Sequence, residues 1–226
     1  MNPPPAMNQH VLREQLIDTM QAMCRADLNR GSAGNLSVRV PQGFLITPTG
    51  MSYDCIEPED MVQVDMAGRA QGARLPSSEW RFHRDLYANH ADAGAVLHAH
   101  SPFATALACL RQDIPPFHYM IARFGGTTVR CAEYATFGTQ ALSDAVLVAL
   151  SDRNACLLAN HGMLVFGRDL RHALDLAIEL ETLCEQYWRA CQVGSPVLLS
   201  GQEMAVVLEK FAYYGQQGVA AAGPHT

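Results

Sequence analysis

The chain has 226 residues, 49% of them apolar, and a formal charge of −6, which suits one large domain with a sizeable core. The acidic balance and the absence of any basic cluster argue against a nucleic-acid partner, and a single lysine, Lys210, leaves imine chemistry one surface-like nucleophile. No apolar run is long enough to span a bilayer, and Met1-Asn2-Pro3-Pro4-Pro5 does not read as a signal peptide, so a cytoplasmic protein without membrane association is expected.

Leu12, Leu16, Met20 and Met23 recur at helical spacing and predict a helix over 7–29, with Gly31 just past its end. Residues 36–40 alternate as a strand, and 44–47 reads as its hairpin partner across Pro41-Gln42-Gly43. A strand over 61–66 follows. Ser77 or Ser78 is expected to cap a helix reaching Asn89, ahead of a strand at 94–100. Ser101-Pro102 opens another helix. Further strands are expected at 127–131, 156–159 and 163–166, with a helix at 139–151. Two helices close the chain, at 169–192 and 201–214, the second opened by the capping box Ser200-x-x-Glu203. Without internal repeats or linkers, this reads as a single domain over 1–226 with flexible tails at 1–6 and 215–226. Interleaved helices and strands predict an α/β fold with its sheet covered on both faces, and the hairpins make that sheet mixed.

Seven cysteines, an odd number without a CxxC pair, read as reduced thiols. The histidines divide. His10, His90, His172 and His225 stand alone and are read as ordinary surface or satisfied core residues. His98 and His100 end an apolar strand, where side chains two apart share a face, so both rings aim at one place. Glu79 and His161 are candidates to complete a four-ligand metal set, although Glu79 alone would be read as helix-end stabilisation. Three short segments look like anion cradles: Gly31 to Asn35, Thr47 to Gly50, and Ser77-Ser78. Together they suggest a small phosphorylated substrate held with little help from lysine or arginine.

Gly34-Asn35-Leu-Ser37, Thr47-Pro-Thr-Gly50, Pro76-Ser-Ser-Glu-Trp80, Val96-Leu-His-Ala-His100 and Ala159-Asn-His-Gly162 resemble the class II aldolase/adducin family. His118 to Ala122, Cys131 to Thr139 and Val206 to Gly215 extend the likeness to about residues 7–215. The resemblance implies a three-layer α/β/α fold with a central mixed β-sheet, a zinc site, and a homotetramer with active sites at subunit interfaces. It implies His98, His100, His161 and Glu79 as zinc ligands, with manganese or cobalt as possible substitutes. Gly34, Asn35, Thr49, Gly50, Ser77 and Ser78 match phosphate-binding positions. Tyr119, Phe137, Phe211 and Tyr214 match residues lining the site, with Tyr119 and the C-terminal helix coming from a neighbouring subunit. Tyr213 competes with Tyr214 for the last position.

The implied reaction is reversible aldol cleavage of L-fuculose 1-phosphate, or a related ketose 1-phosphate, to dihydroxyacetone phosphate and an aldehyde. Zinc would stabilise the enediolate as a Lewis acid. Glu79, displaced from zinc by bidentate substrate, would shuttle the proton, and Tyr119 or Tyr214 would serve the aldehyde-side oxygen. Family members that are epimerases carry aspartate where this chain has Glu79. Decarboxylases and dehydratases can share the ligand set. A metal-free, adducin-like interaction module would have no need to retain all four ligands.

Overall fold

A computed structural model describes residues 9–211. The tails, His225, Tyr213 and Tyr214 lie outside the described residues.

The sheet has eight strands. β1 (Asn35–Val40), β2 (Gly43–Ile46), β3 (Val62–Val64) and β4 (Ala70–Gln71) form an antiparallel run on one side. β5 (Ala95–Ala99), β6 (Arg130–Ala132), β7 (Ala155–Leu158) and β8 (Gly162–Gly167) complete the order β4-β3-β2-β1-β5-β8-β7-β6. The sheet is mixed, as expected, but through one parallel pair alone, β6 with β7.

Period-two alternation sorts the side chains into two cores. Leu36, Val38, Leu97, Met163 and Val165 pack with α1 (Gln9–Arg25) and α5 (Leu170–Val193), and α3 (Pro102–Ala108) joins that face. Phe44, Ile46, Val96, Leu164 and Phe166 pack on the other face with α2 (Trp80–Asn89) and α4 (Gln140–Ala149). This is the three-layer α/β/α arrangement. Polar Asn35, Ser37 and His98 fall in the same alternation as Phe44 and Val96, so they are buried under α2 rather than under α1 and α5. A last helix, α6 (Gly201–Phe211), packs on the 3-10 turn Tyr119–Phe124. Its opening is the expected capping box: Ser200 Oγ accepts the Glu203 N–H at 3.2 Å, and the Glu203 carboxylate accepts the Ser200 N–H at 2.7 Å.

Three helix ends are secured differently from expectation. α1 stops at Arg25 because Asp27 turns left-handed (φ 53°). Leu28 N–H then reaches Met23 O and Asp27 N–H reaches Cys24 O, the paired bonds that close a helix C-terminus. α2 begins at Trp80, and neither Ser77 nor Ser78 caps it. Ser77 N–H is tied to Thr47 O at 3.0 Å, holding that segment extended, and Glu79 takes the capping position without a side-chain cap bond. Its carboxylate is therefore free to turn elsewhere. The far end of α2 is fixed by Arg39, which donates to the carbonyls of Tyr87, His90 and Ala93.

The third difference concerns α3. It starts after Ser101 as expected, but the Ser101 hydroxyl is not its cap. Glu181, on α5, accepts the N–H groups of Phe103 and Ala104, each at 2.8 Å, and the Ser101 hydroxyl at 2.6 Å. A carboxylate borrowed from another helix thus satisfies the helix start, and it anchors the loop that carries His100. Glu181→Ala is expected to lower stability by about 2 kcal/mol, since it orphans two backbone donors and removes a charge-assisted pair. Urea unfolding of the variant and parent reads the difference directly; an unchanged midpoint would remove Glu181 from that role.

Candidate metal centre and substrate pocket

The central strands bring the functional residues to one end of the sheet. Asn35 opens β1 opposite His98 near the end of antiparallel β5, and His100 follows one residue beyond that strand. His161 sits in the tight turn joining β7 to β8, where Asn160 adopts a left-handed conformation (φ 54°). Glu79 arrives from the start of α2. The three imidazoles form a ring of edge-to-face neighbours with centroids 4.7 to 4.9 Å apart.

The tautomer of His98 is fixed. Its Nδ1 lies 2.8 Å from the Met163 carbonyl oxygen, an obligate acceptor, so Nδ1 carries the proton and Nε2 presents a lone pair. That Nε2 is 3.0 Å from His100 Nε2 and 3.3 Å from Glu79 Oε2. His161 Nε2 is 3.5 Å from Glu79 Oε1. Ligand nitrogens of His98, His100 and His161 all lie within 4.8 Å of one another, a group able to hold a metal ion.

One atom tests whether a cation fits. Glu79 Oε1 is buried and has no hydrogen-bond partner, while Oε2 accepts the Asn35 Nδ2–H at 2.9 Å. A buried carboxylate oxygen left bare beside three imidazoles is a costly arrangement, and a divalent ion bound there would relieve it. Three nitrogens and one oxygen form a donor set that suits zinc and also tolerates manganese or cobalt.

Burial supports the ligating form of the rings. Desolvation lowers the pKa of His98 from 6.5 to about 3, reinforced by His100 and opposed by the Met163 bond. His161 is lowered to about 4, and His100 is lowered as well, both chiefly by desolvation. In metal-free protein these rings take up protons more readily unfolded than folded. Their contribution to stability is therefore complete above the unfolded value near 6.5 and is lost as pH falls toward 4 and 3. For His98 alone, moving from about pH 7 to about pH 5 should cost about 2 kcal/mol, visible as a lower urea midpoint in chelated protein. A midpoint that stays flat over that range would show the rings are not held neutral.

His100 and His161 line a cavity of about 370 Å³, with His98 fully buried. Gly34, Asn35, Thr49, Gly50, Ser77 and Ser78, all expected to hold phosphate, line it together with Glu79, His100 and His161. No lysine or arginine is among its lining residues, so an anion there meets hydroxyls, amides and the positive end of α2. Gly34 is confined by geometry: at φ 72°, a Cβ would stand 2.3 Å from Asn29 Nδ2 and 2.5 Å from His98 O. Asn29 in turn accepts the His100 N–H at 2.9 Å, so the glycine loop and the ligand strand are locked together.

Phe137 lines the same cavity at its rim. Tyr119 and Phe211 do not line it; they face each other at 6.5 Å, with Tyr119 half exposed, so a single chain does not bring them to the histidines. Lys210 is exposed on α6. Sequence reasoning assigned no role to Tyr134 or Asn160, both of which line the cavity. Arg111 links them, its guanidinium donating to Asn160 Oδ1 at 2.6 Å and lying 5.4 Å from the Tyr134 ring. Sequence reasoning also passed over His83. It stands four residues after Glu79 on one helical face, and its pKa is pushed well below the ordinary value by burial and nearby His98.

Comparison with known proteins agrees with this geometry. Residues 14–188 match the family described as Class II Aldolase and Adducin N-terminal domain. The chain is 50% identical to the 5-methylthioribulose-1-phosphate/5-deoxyribulose-1-phosphate aldolase of Rhodospirillum rubrum over 213 residues, covering 94% of this chain and 96% of the relative. It is 47% identical to the L-fuculose phosphate aldolase of Escherichia coli K12 over 210 residues, covering 92% of this chain and 98% of that protein. Among solved structures, an L-fuculose 1-phosphate aldolase superposes with a TM-score of 0.85 at 41% identity, covering 88% of this chain and 95% of that one.

Proposed function

The chain belongs to the class II aldolase and adducin family, and from that premise we propose that it cleaves a 1-phosphoketose with an apolar terminal carbon, with zinc as its resident metal. The bond broken is C3–C4, and the products are dihydroxyacetone phosphate and an aldehyde. L-Fuculose 1-phosphate, 5-deoxyribulose 1-phosphate and 5-methylthioribulose 1-phosphate, named for its relatives, all belong to this substrate class. The observation that carries the reading is the bare Glu79 oxygen beside three imidazoles, lining a pocket that has no basic side chain.

His98, His100 and His161 would hold the metal, with Glu79 as the fourth ligand at rest. When bound, the ion supplies a Lewis acid for the C2 ketone and for the negative charge that appears as the bond breaks. The phosphate rests in the cradle of Gly34, Asn35, Thr49, Gly50, Ser77 and Ser78. The proton leaves the C4 hydroxyl to Tyr119 contributed by a neighbouring copy, and the C3–C4 electron pair passes toward C2. Tyr119 must start as phenolate to take that proton. Glu79, having taken up one proton from solvent, delivers it to C3. Release of the Tyr119 proton to solvent restores both groups, so the proton count balances. Phe137 closes the aldehyde side, with Phe211 and Tyr214 of the neighbouring copy, and the family resemblance makes the working unit a homotetramer. Its place of action is the cytoplasm.

The test follows dihydroxyacetone phosphate release from L-fuculose 1-phosphate and 5-methylthioribulose 1-phosphate, with metal-replete and chelated protein side by side. Chelator-sensitive release is expected from both, and their kcat/KM ratio ranks the two tails. No release from metal-loaded protein would sink the aldol reading and turn attention to decarboxylation and dehydration.

A further inference from the structure

Behind the pocket, a polar line crosses the otherwise apolar core under α2. Tyr87 Oη is 2.8 Å from Ser37 Oγ, which is 2.7 Å from His83 Nδ1. His83 Nε2 is 2.6 Å from Asn35 Oδ1, and Asn35 Nδ2 is 2.9 Å from Glu79 Oε2. Ser37 and His83 are fully buried, Asn35 and Tyr87 nearly so, and the His83 ring lies 4.7 Å from Phe82 and 6.4 Å from Phe44. Hydrophobic side chains would fill this space at less cost.

The direction of every bond follows from its end. Glu79 Oε2 accepts from the Asn35 NH₂, which leaves Asn35 Oδ1 to face His83. Oδ1 only accepts, so His83 carries its proton on Nε2. The ring has no carboxylate partner and no exposure, so it is neutral, and Nδ1 accepts from the Ser37 hydroxyl. Ser37 in turn accepts from Tyr87. In the other tautomer, Nδ1–H, the ring would present a lone pair to Asn35, flip its amide and set Oδ1 against the Glu79 carboxylate.

The geometry points to His83 as a positioning residue: through Asn35 it holds the Glu79 carboxylate in place over the histidine triad, with Asn35 fixing its tautomer and Ser37 and Tyr87 satisfying its Nδ1. This rests on the aldolase reading only for its kinetic consequence. His83→Phe keeps an aromatic ring but cannot donate, whereas His83→Gln keeps an N–H near the Nε2 position. With a 1-phosphoketose that the parent cleaves, His83→Phe should lose about 10–100-fold in kcat at little-changed KM and with metal content retained, and His83→Gln should recover part of that loss.

Independently of turnover, ¹⁵N NMR of ring-labelled metal-free protein should find His83 neutral and protonated at Nε2. Ser37→Ala should leave the proton on Nε2, because the Asn35 oxygen still requires a donor there. A His83 ring that is cationic or carries its proton on Nδ1 would overturn the inference. So would a folded His83→Phe with kcat within about twofold of the parent, or a rise in KM alone. A parent that cleaves no 1-phosphoketose would sink the activity reading, and the NMR result would then decide this one.

Discussion

Glu79→Gln is expected to cut kcat by about 10²–10⁴-fold while metal content stays near that of the parent. The substitution preserves shape. A glutamine carbonyl can still accept the Asn35 Nδ2–H bond of 2.9 Å, and the three imidazoles remain to hold the ion. What disappears is a group able to take up and release a proton. Metal analysis alongside steady-state kinetics separates the two functions: full activity removes Glu79 from the proton step, and loss of metal makes it chiefly a ligand.

His98→Ala should have the other large effect. The ring is fully buried, its Nδ1–H is committed to Met163, and its Nε2 faces both His100 and Glu79. Removing it takes away the best oriented of the three nitrogens and leaves a cavity under α2. Metal should dissociate on dialysis, and turnover should fall by about 10³-fold or more, since the ion contributes several kcal/mol of charge stabilisation. The cavity adds about 2–4 kcal/mol of lost stability. A dialysed variant that keeps one metal per chain would show that His98 is not a ligand.

The sequence made the ligand set legible because each ligand sits where periodicity has a simple meaning. His98 and His100 share a strand face, and the turn ahead of Gly162 marks His161. Glu79 was also visible, though read as a first-turn residue when it stands at the capping position. The supporting residues were harder to see for a physical reason. Ser37, His83 and Tyr87 look like ordinary polar members of a strand and a helix, and their significance arises only when β1 is laid against α2. Periodicity says which face a residue occupies and is silent on what lies across from it. The same limit explains Tyr119 and Phe211, whose place in the motif is clear but which stand apart from the histidines within one chain. It explains the α3 cap too, since local rules nominate Ser101 and cannot foresee a carboxylate 80 residues away.

That distant cap bears on when the protein can become an enzyme. A chain growing on the ribosome carries Glu79 and all three histidines before residue 181 is made. Until α5 is made and Glu181 docks, the start of α3 lacks its carboxylate cap, and the backbone N–H of His100 is held by Asn29 alone. Completion of the α3 cap is therefore a late event in chain growth, dependent on the arrival of α5.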